Sequence, residues 1–220
     1  MKLQRFGTFA LLASGCFGAI ELAYSQPTML KVTATMDVYR AGGYDTGVGG
    51  LAPAEFSFTA ASGQVITFRV GGMWACGDAP LFGADGTTSG ACIGPTYVTN
   101  PIGKFSGIDF TDFACPLVGI FLEDSLPTSA PPPLQFYITD SSQGGIPTNF
   151  TTLSPLIGQV FFIGDGLTGT GSGTFQKFIV PPTATSLYLG FIDTNGAGRP
   201  SEYSDNIGWM EVEPILHTSS

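Results

Sequence analysis

The residues best suited to chemistry lie near the C-terminal end, in the segment 191–208 (FIDTNGAGRPSEYSDNIG). An expected strand ends at Asp193, a loop rich in Gly and Pro follows, and Asp205 and Asn206 lead into the last expected strand. Both flanking strands need sheet partners, so the loop must return and bring Asp193 near Asp205 and Asn206. Two carboxylates and an amide oxygen, with loop carbonyls beside them, are oxygen ligands of the kind that Ca²⁺ prefers.

A simpler interpretation of the same residues stands beside the metal site. Asp and Asn are common turn residues because their side chains bond to nearby backbone groups. Against it, two carboxylates held close together repel each other unless a cation lies between them. The spacing alone leaves both interpretations open.

The sequence offers little for catalysis. His217 is the only histidine and lies close to the C-terminus, which argues against a Ser-His-Asp triad or a histidine metal site. The segment 164–173 (GDGLTGTGSG) lacks the Lys-Ser/Thr ending of a phosphate loop, so we expect a turn between strands. The acidic residues offer many pairs for an exported glycosidase, but nothing singles one pair out. We therefore predict no catalytic residue.

The N-terminus has the pattern of an export signal. Lys2 and Arg5 precede an apolar run at 6–20, and Ala23-Tyr24-Ser25 supplies small residues at the two positions that a signal peptidase inspects. We predict that residues 1–25 are a cleaved signal peptide, with a buried N-terminal helix as the alternative. The segment 13–16 (ASGC) is a poor lipoprotein box, which makes a lipid anchor on Cys16 a minor alternative. The protein is thus expected to be secreted, periplasmic or on the cell surface.

The charge of the chain narrows its partners. Loss of residues 1–25 removes Lys2, Arg5 and Glu21 and takes the formal net charge from −9 to −10. Such a surface repels nucleic acid phosphates and anionic membranes, so we expect neither as a partner. No later apolar stretch approaches the length of a membrane span.

Three cysteines follow the predicted signal peptide: Cys76, Cys92 and Cys115. In an oxidising compartment two of them are expected to form a disulfide, but the sequence does not choose among the three pairings. The remaining thiol is either buried or available to another chain, which leaves a homo-oligomer open.

Short apolar runs bounded by Gly, Pro, Asn and Ser predict an all-β protein, an antiparallel two-sheet β-sandwich. The runs 55–60 and 64–70 suggest a hairpin that turns at Ser62-Gly63. We expect one domain at 26–213, with long loops at 77–111 and 125–155 and a tail at 214–220. Loops of this length are usually functional or mobile.

Several of these segments resemble the bacterial calcium-dependent galactose-specific lectins and their exported relatives. Tyr203–Gly208 (YSDNIG) stands where that family has a Tyr-Gly-Asn/Asp-Asn-x-Gly pattern after a strand that ends in Asp. Gly71–Gly77 (GGMWACG) is similar to the family's Gly-Trp-Ala segment, which precedes a loop carbonyl that binds calcium. The family's second sugar-contacting loop, with its His and Gln, has no counterpart in 77–111.

The resemblance implies a jelly-roll or galactose-binding-like sandwich with one Ca²⁺. Its ligands would be three side chains and two backbone carbonyls: Asp193, Asp205 and Asn206, then Glu202 and either Cys76 or Gly77. Asp193, Glu202, Asp205 and Asn206 would also contact a galactose-type carbohydrate, two hydroxyls of which bind the exposed face of the ion.

Two questions about the function remain open from the sequence. Trp74 would either stack on a sugar ring or pack in the core. The expected function is a secreted calcium-dependent carbohydrate-binding module without catalytic activity. The alternative is a structural or cell-surface module in which Ca²⁺ only stabilises a loop.

Overall fold

Fifteen β-strands, most of them short, and three 3₁₀ helices form the architecture of the described chain. The computed structural model describes residues 28–88, 92, 95–194 and 198–218. The predicted signal peptide at 1–25 lies outside the described residues, as do residues 195–197 of the candidate loop.

The strands in chain order are β1 (Leu30–Thr33), β2 (Ala54–Ser57), β3 (Val65–Ala75), β4 (Tyr97–Val98), β5 (Ile108–Phe110), β6 (Val118–Leu122), β7 (Leu134–Tyr137), β8 (Ile146–Pro147), β9 (Thr152–Leu153), β10 (Val160–Phe162), β11 (Leu167–Gly169), β12 (Ser172–Phe175), β13 (Lys177–Ile179), β14 (Ser186–Gly190) and β15 (Ile207–His217). The 3₁₀ helices are Val38–Gly43, Ser141–Gln143 and Tyr203–Asp205.

Two sheets, almost wholly antiparallel, form the body of the protein. One has the strand order β1-β15-β3-β13-β9, and the other has the order β10-β6-β14-β2. Strand β14 lies between β6 and β2, and four of its five residues are buried, as its apolar composition predicts for an interior strand. The all-β sandwich prediction is confirmed.

A third sheet, β4-β5-β7-β8, accompanies the two main ones. Its β5–β7 and β7–β8 pairs are parallel, unlike the all-antiparallel pattern expected from the sequence. All four strands come from the segments expected as long loops, 77–111 and 125–155. Strands β11 and β12 form a separate hairpin. The Gly-rich segment 164–173, expected to be a turn between strands, contains β11 and the start of β12, so only residues 170–171 form the turn.

Aromatic rings join the sheets into one core. Phe161 of the second sheet lies 5.6 Å from Phe178 of the first, centroid to centroid. Phe136 of the third sheet lies 5.8 Å from Phe162 of the second. The four rings are at most 2% exposed. Such contacts add to the large apolar area that each ring buries, so this aromatic seam fixes how the sheets meet.

Two details of the sequence expectation are corrected. Strands β2 and β3 do not form a hairpin: β2 pairs with β14, whereas β3 pairs with β15 and β13 in the other sheet. The segment around Ser62-Gly63 therefore crosses between sheets. Strand β15 continues to His217, so part of the expected tail at 214–220 is sheet.

None of the described helices combines the length and the apolar character needed to cross a membrane.

Candidate functional site

The ends of three strands bring the candidate ligands to one end of the sandwich. Asp193 follows the end of β14, and Asn206 directly precedes β15. The first residue of β15, Ile207, pairs with Ala75 at the end of β3, which places Cys76 and Gly77 beside the start of β15. The loop returns as the sequence predicts: the backbone N–H of Ser201 donates to the carbonyl of Asp193 at 2.9 Å, and Thr194 forms an antiparallel bridge with Pro200.

Asp193 is a nearly buried carboxylate, 8% exposed. Its Oδ1 accepts a hydrogen bond of 2.7 Å from the backbone N–H of Thr194, and the Asn206 side chain provides another. Burial raises the pKa of Asp193 from 3.8 to about 6, the two hydrogen bonds oppose the rise, and the charges of Asp205 and Glu202 add to it. The three acidic residues therefore interact electrostatically, and their repulsion would be relieved by a cation nearby. Their carboxylate oxygens do not all lie within 4.8 Å of one another.

Asn206 provides an unpaired buried oxygen beside that carboxylate. The residue is 6% exposed, and its Nδ2 donates to the carbonyl of Ala34 at 3.2 Å. Its Oδ1 is buried and has no hydrogen-bond partner among the described residues. A buried acceptor left without a partner costs about 1–3 kcal/mol. This oxygen is therefore available to a ligand.

Gly77 and Asp205 are direct neighbours across the site. A methyl group built on Gly77 would lie 3.1 Å from Asp205 Oδ2, and Gly77 has a φ of +52°. Glycine therefore satisfies both the backbone conformation and the close approach of the carboxylate. Cys76 is buried and bonded to Cys92, so the residue before Gly77 is covalently held.

Glu202 adopts an unusual backbone conformation at the start of the last turn. With φ 62° and ψ 16° it is left-handed, and it precedes the 3₁₀ helix Tyr203–Asp205. Of the described non-glycine residues, two have positive φ, Glu202 and Cys115. Such conformations cost about 1–3 kcal/mol and concentrate at ligand sites. The side chain of Glu202 is exposed.

Asp37, a buried carboxylate that the sequence did not single out, forms a hydrogen bond with Tyr203 of the candidate loop. Asp37 Oδ1 accepts hydrogen bonds of 2.9 Å from the hydroxyl of Tyr203 and from the backbone N–H of Tyr39. Both Asp37 and Tyr203 are at most 1% exposed. Asp37 lies 166 residues before Tyr203, and no local pattern links the two. The sequence clue is an Asp that follows an alternating strand pattern and can cap the next helix.

Two other side chains near the long loop have structural roles. Trp74 is fully buried and packs against Phe191 at 4.1 Å and Phe82 at 5.2 Å, centroid to centroid, so it belongs to the core. Asp85 Oδ1 accepts a hydrogen bond of 2.8 Å from the backbone N–H of Asp165, which places it at the β11–β12 hairpin.

The structure chooses one of the three cysteine pairings. Cys76 and Cys92 form the disulfide, with a sequence separation of 16, and Cys115 is a buried free thiol. In the chain-entropy model a loop of this size stabilises the fold by about 3 kcal/mol. The disulfide closes directly beside Gly77 and therefore braces the candidate site.

Comparisons of the chain with family models, with curated proteins and with solved structures found no match.

Proposed function

We propose that the loop 193–206 binds one Ca²⁺ and, through it, a carbohydrate. The observation that carries the proposal is the unpaired, buried Oδ1 of Asn206, a residue whose side chain is hydrogen-bonded to the buried Asp193 carboxylate. Both are hard oxygen donors, and Ca²⁺ takes six to eight of these.

The surroundings of Asp193 support a cation rather than a plain turn. A turn Asp is normally exposed and satisfied by neighbouring N–H groups. Asp193 is buried, and the acidic side chains of Asp205 and Glu202 act on it unfavourably. A bound divalent cation would reverse the sign of that electrostatic interaction for every carboxylate near it.

The proposed ligand set mixes side chains and backbone. Asp193, Asp205 and Asn206 would bind through side-chain oxygens, and Glu202 and Cys76 or Gly77 through backbone carbonyls. These residues would leave coordination positions of the ion for water or for two hydroxyls of a ligand.

Carbohydrate is the proposed ligand of that open face, and the lectin resemblance is its main support. Adjacent hydroxyls of a sugar can replace two waters on the ion, while exposed carboxylates accept hydrogen bonds from the same hydroxyls. Asp205 and Glu202 are exposed, and Ile207 beside them is 54% exposed, which offers an apolar surface to a sugar ring. A protein with this chemistry would act by binding, without catalysis.

A structural role for the ion is the second candidate. The hydrogen bonds Tyr203–Asp37 and Asn206–Ala34 tie the loop to the body of the protein. In that case Ca²⁺ would complete the loop and bind nothing further.

Calorimetric titration with CaCl₂, followed by galactosides in excess calcium, separates these functions. Heat from calcium alone would favour the structural role, and no calcium binding would contradict both.

Asp205→Ala should abolish calcium binding. Glu211→Ala removes the same charge from the exposed side of β15 and should leave it intact. Turnover of chromogenic glycosides would instead favour the glycosidase.

A further inference from the structure

Three cysteine sulfurs form a cluster next to the candidate calcium site, to which Cys76 is adjacent in the chain. Cys76 follows β3, Cys92 lies between β3 and β4, and Cys115 precedes β6. Their sulfur atoms all lie within 4.8 Å of one another. The side chains are buried, with exposed fractions of 8%, 8% and 1%. Three separate segments thus converge on one sulfur cluster.

The third sulfur is held in place although it takes no part in the disulfide. The backbone N–H of Cys115 donates to Thr96 Oγ1 at 3.0 Å, and Cys115 Sγ lies 3.5 Å from the same hydroxyl. Cys115 also has a left-handed φ of 59°. This backbone conformation is energetically unfavourable for a residue other than glycine, so the surrounding structure must impose it. The fold therefore fixes this thiol against the disulfide.

The sulfur spacing is close to that of a thiolate metal site. A Zn–S bond of about 2.3 Å in tetrahedral geometry places sulfurs about 3.8 Å apart. In this cluster no two sulfurs are more than 4.8 Å apart, which is at most about 1 Å beyond that spacing. When the Cys76–Cys92 bond opens, its two sulfurs can separate toward the same distance. Thiolates select soft ions such as Zn²⁺ and Cu⁺ over the hard Ca²⁺.

We propose that reduction of the Cys76–Cys92 disulfide turns the three sulfurs into a three-thiolate site for a soft metal ion. A dithiol supplies two electrons and two protons to the S–S bond, leaves two thiols and is itself oxidised to a disulfide. A phosphine does the same with water as the source of the protons and becomes the phosphine oxide. The metal ion then displaces the thiol protons to solvent without changing its own oxidation state. Disulfide and bound metal are mutually exclusive states of the same sulfurs.

The surroundings of Cys115 explain why the thiol stays protonated until a metal arrives. Burial raises its pKa to about 12, the hydrogen bond to Thr96 opposes the rise, and the charge of Asp193 adds to it. Burial disfavours any isolated charge, so a thiolate is better accommodated here when a metal ion offsets its negative charge.

Cadmium titration of the full chain tests the proposal. A Cys16→Ser background keeps the remaining cysteine out of the sulfur count. After reduction with a phosphine, we expect one Cd²⁺ per chain and the ultraviolet thiolate-to-cadmium charge-transfer absorption of three thiolates. The oxidised protein should show no such absorption. Cys115→Ser should reduce the band by one third and weaken binding by about tenfold or more.

Cys92→Ser is the second variant, with the same two-thiol expectation, should Cys115→Ser not fold. An equal band and affinity in reduced wild-type protein and in both variants would overturn the proposal. A reduced chain whose near-ultraviolet circular dichroism stays lost when Cd²⁺ is added would also overturn it. Asp205→Ala should keep the cadmium site, so failure of the calcium proposal and failure of this one are distinguishable.

Discussion

The amide of Asn206 has two ends with different surroundings. Its Nδ2 is bonded to the Ala34 carbonyl, whereas its Oδ1 has no partner among the described residues. The nitrogen fixes the direction of the oxygen, so the acceptor cannot turn away to find another donor. The side chain is thus oriented before any ligand arrives, which lowers the entropic cost of binding.

Gly77→Ala tests the close approach at the same site. The left-handed backbone and the contact with Asp205 Oδ2 both oppose a methyl group, and we expect a loss of about 1–2 kcal/mol in the free energy of unfolding. Calcium affinity should fall as well. Gly83→Ala is the matched control, because Gly83 has no positive φ and nothing within 4 Å of the added methyl. Equal denaturant midpoints for the two variants would contradict the proposed crowding.

Asp37 predicts a pH dependence of stability. Burial raises its pKa from 3.8 to about 6, against hydrogen bonds from Tyr39, Tyr203 and Thr46. Between these values the unfolded chain loses the proton while the folded protein keeps it. The contribution of Asp37 to the free energy of unfolding is therefore complete below about pH 4. It is lost as the pH rises through 6, by up to about 3 kcal/mol.

Urea unfolding of wild type and Asp37→Asn at pH 4 to 7 measures this contribution of Asp37 to the free energy of unfolding. The amide keeps an acceptor for Tyr39 and Tyr203 but does not titrate. The stability difference between the two proteins should therefore change across this range in favour of the variant. Parallel curves would show that Asp37 is not the titrating group.

Single residues show where sequence reasoning succeeds and where it stops. Asp193, Asp205 and Asn206 could be grouped because a loop between two paired strands must bring its ends together. Asp37 could not be found, since its link to Tyr203 depends on how distant segments pack. The disulfide pairing was open for the same reason: which sulfurs meet depends on loop paths that local spacing does not determine.

At the scale of elements, the 3₁₀ helix Tyr203–Asp205 is a short turn that is anchored through the hydroxyl of Tyr203. It has no side-chain cap, and its first residue follows the left-handed Glu202. Tyr203 is its buried residue, and the Tyr203 hydroxyl is bonded to Asp37. The position of Asp205 in the candidate site is therefore set largely by this anchor.

Tyr203→Phe should remove the anchor without changing the ring. We expect a loss of about 1–3 kcal/mol, because the Asp37 carboxylate loses a buried donor. Calcium affinity should fall less than in Asp205→Ala. A double-mutant cycle with Asp37→Asn isolates the pair, and additive losses would show that the two side chains do not act together.

Elements also show the limits of turn signals. The sequence around Ser62-Gly63 has the composition of a hairpin turn, yet the flanking strands enter different sheets. Gly and Ser permit a change of direction, but they do not specify the partner of the next strand. The strands in the segments 77–111 and 125–155 are hard to recognise in the sequence because they are only two to four residues long. Such runs are too short to show a clear alternation.

At the scale of the whole molecule, the aromatic seam between the sheets determines stability. Phe178→Ala should cost about 3–5 kcal/mol, because a fully buried ring leaves a cavity between the two main sheets. Phe175→Ala removes the same ring at a position that is 44% exposed and should cost much less. Thermal or urea unfolding compares the two, and equal losses would contradict the placement of the seam.

The long pairing of β15 with β3 and β1 has a consequence for the order of folding. Its ladder joins residues 30–33 to 209–212 and residues 65–75 to 207–217, so these contacts close very large loops. Contacts of such high sequence separation form slowly. The proposed calcium site combines residues near 77 with residues near 205, so it would form only once that ladder has closed. Calcium would then lengthen the lifetime of the finished protein rather than hasten its formation.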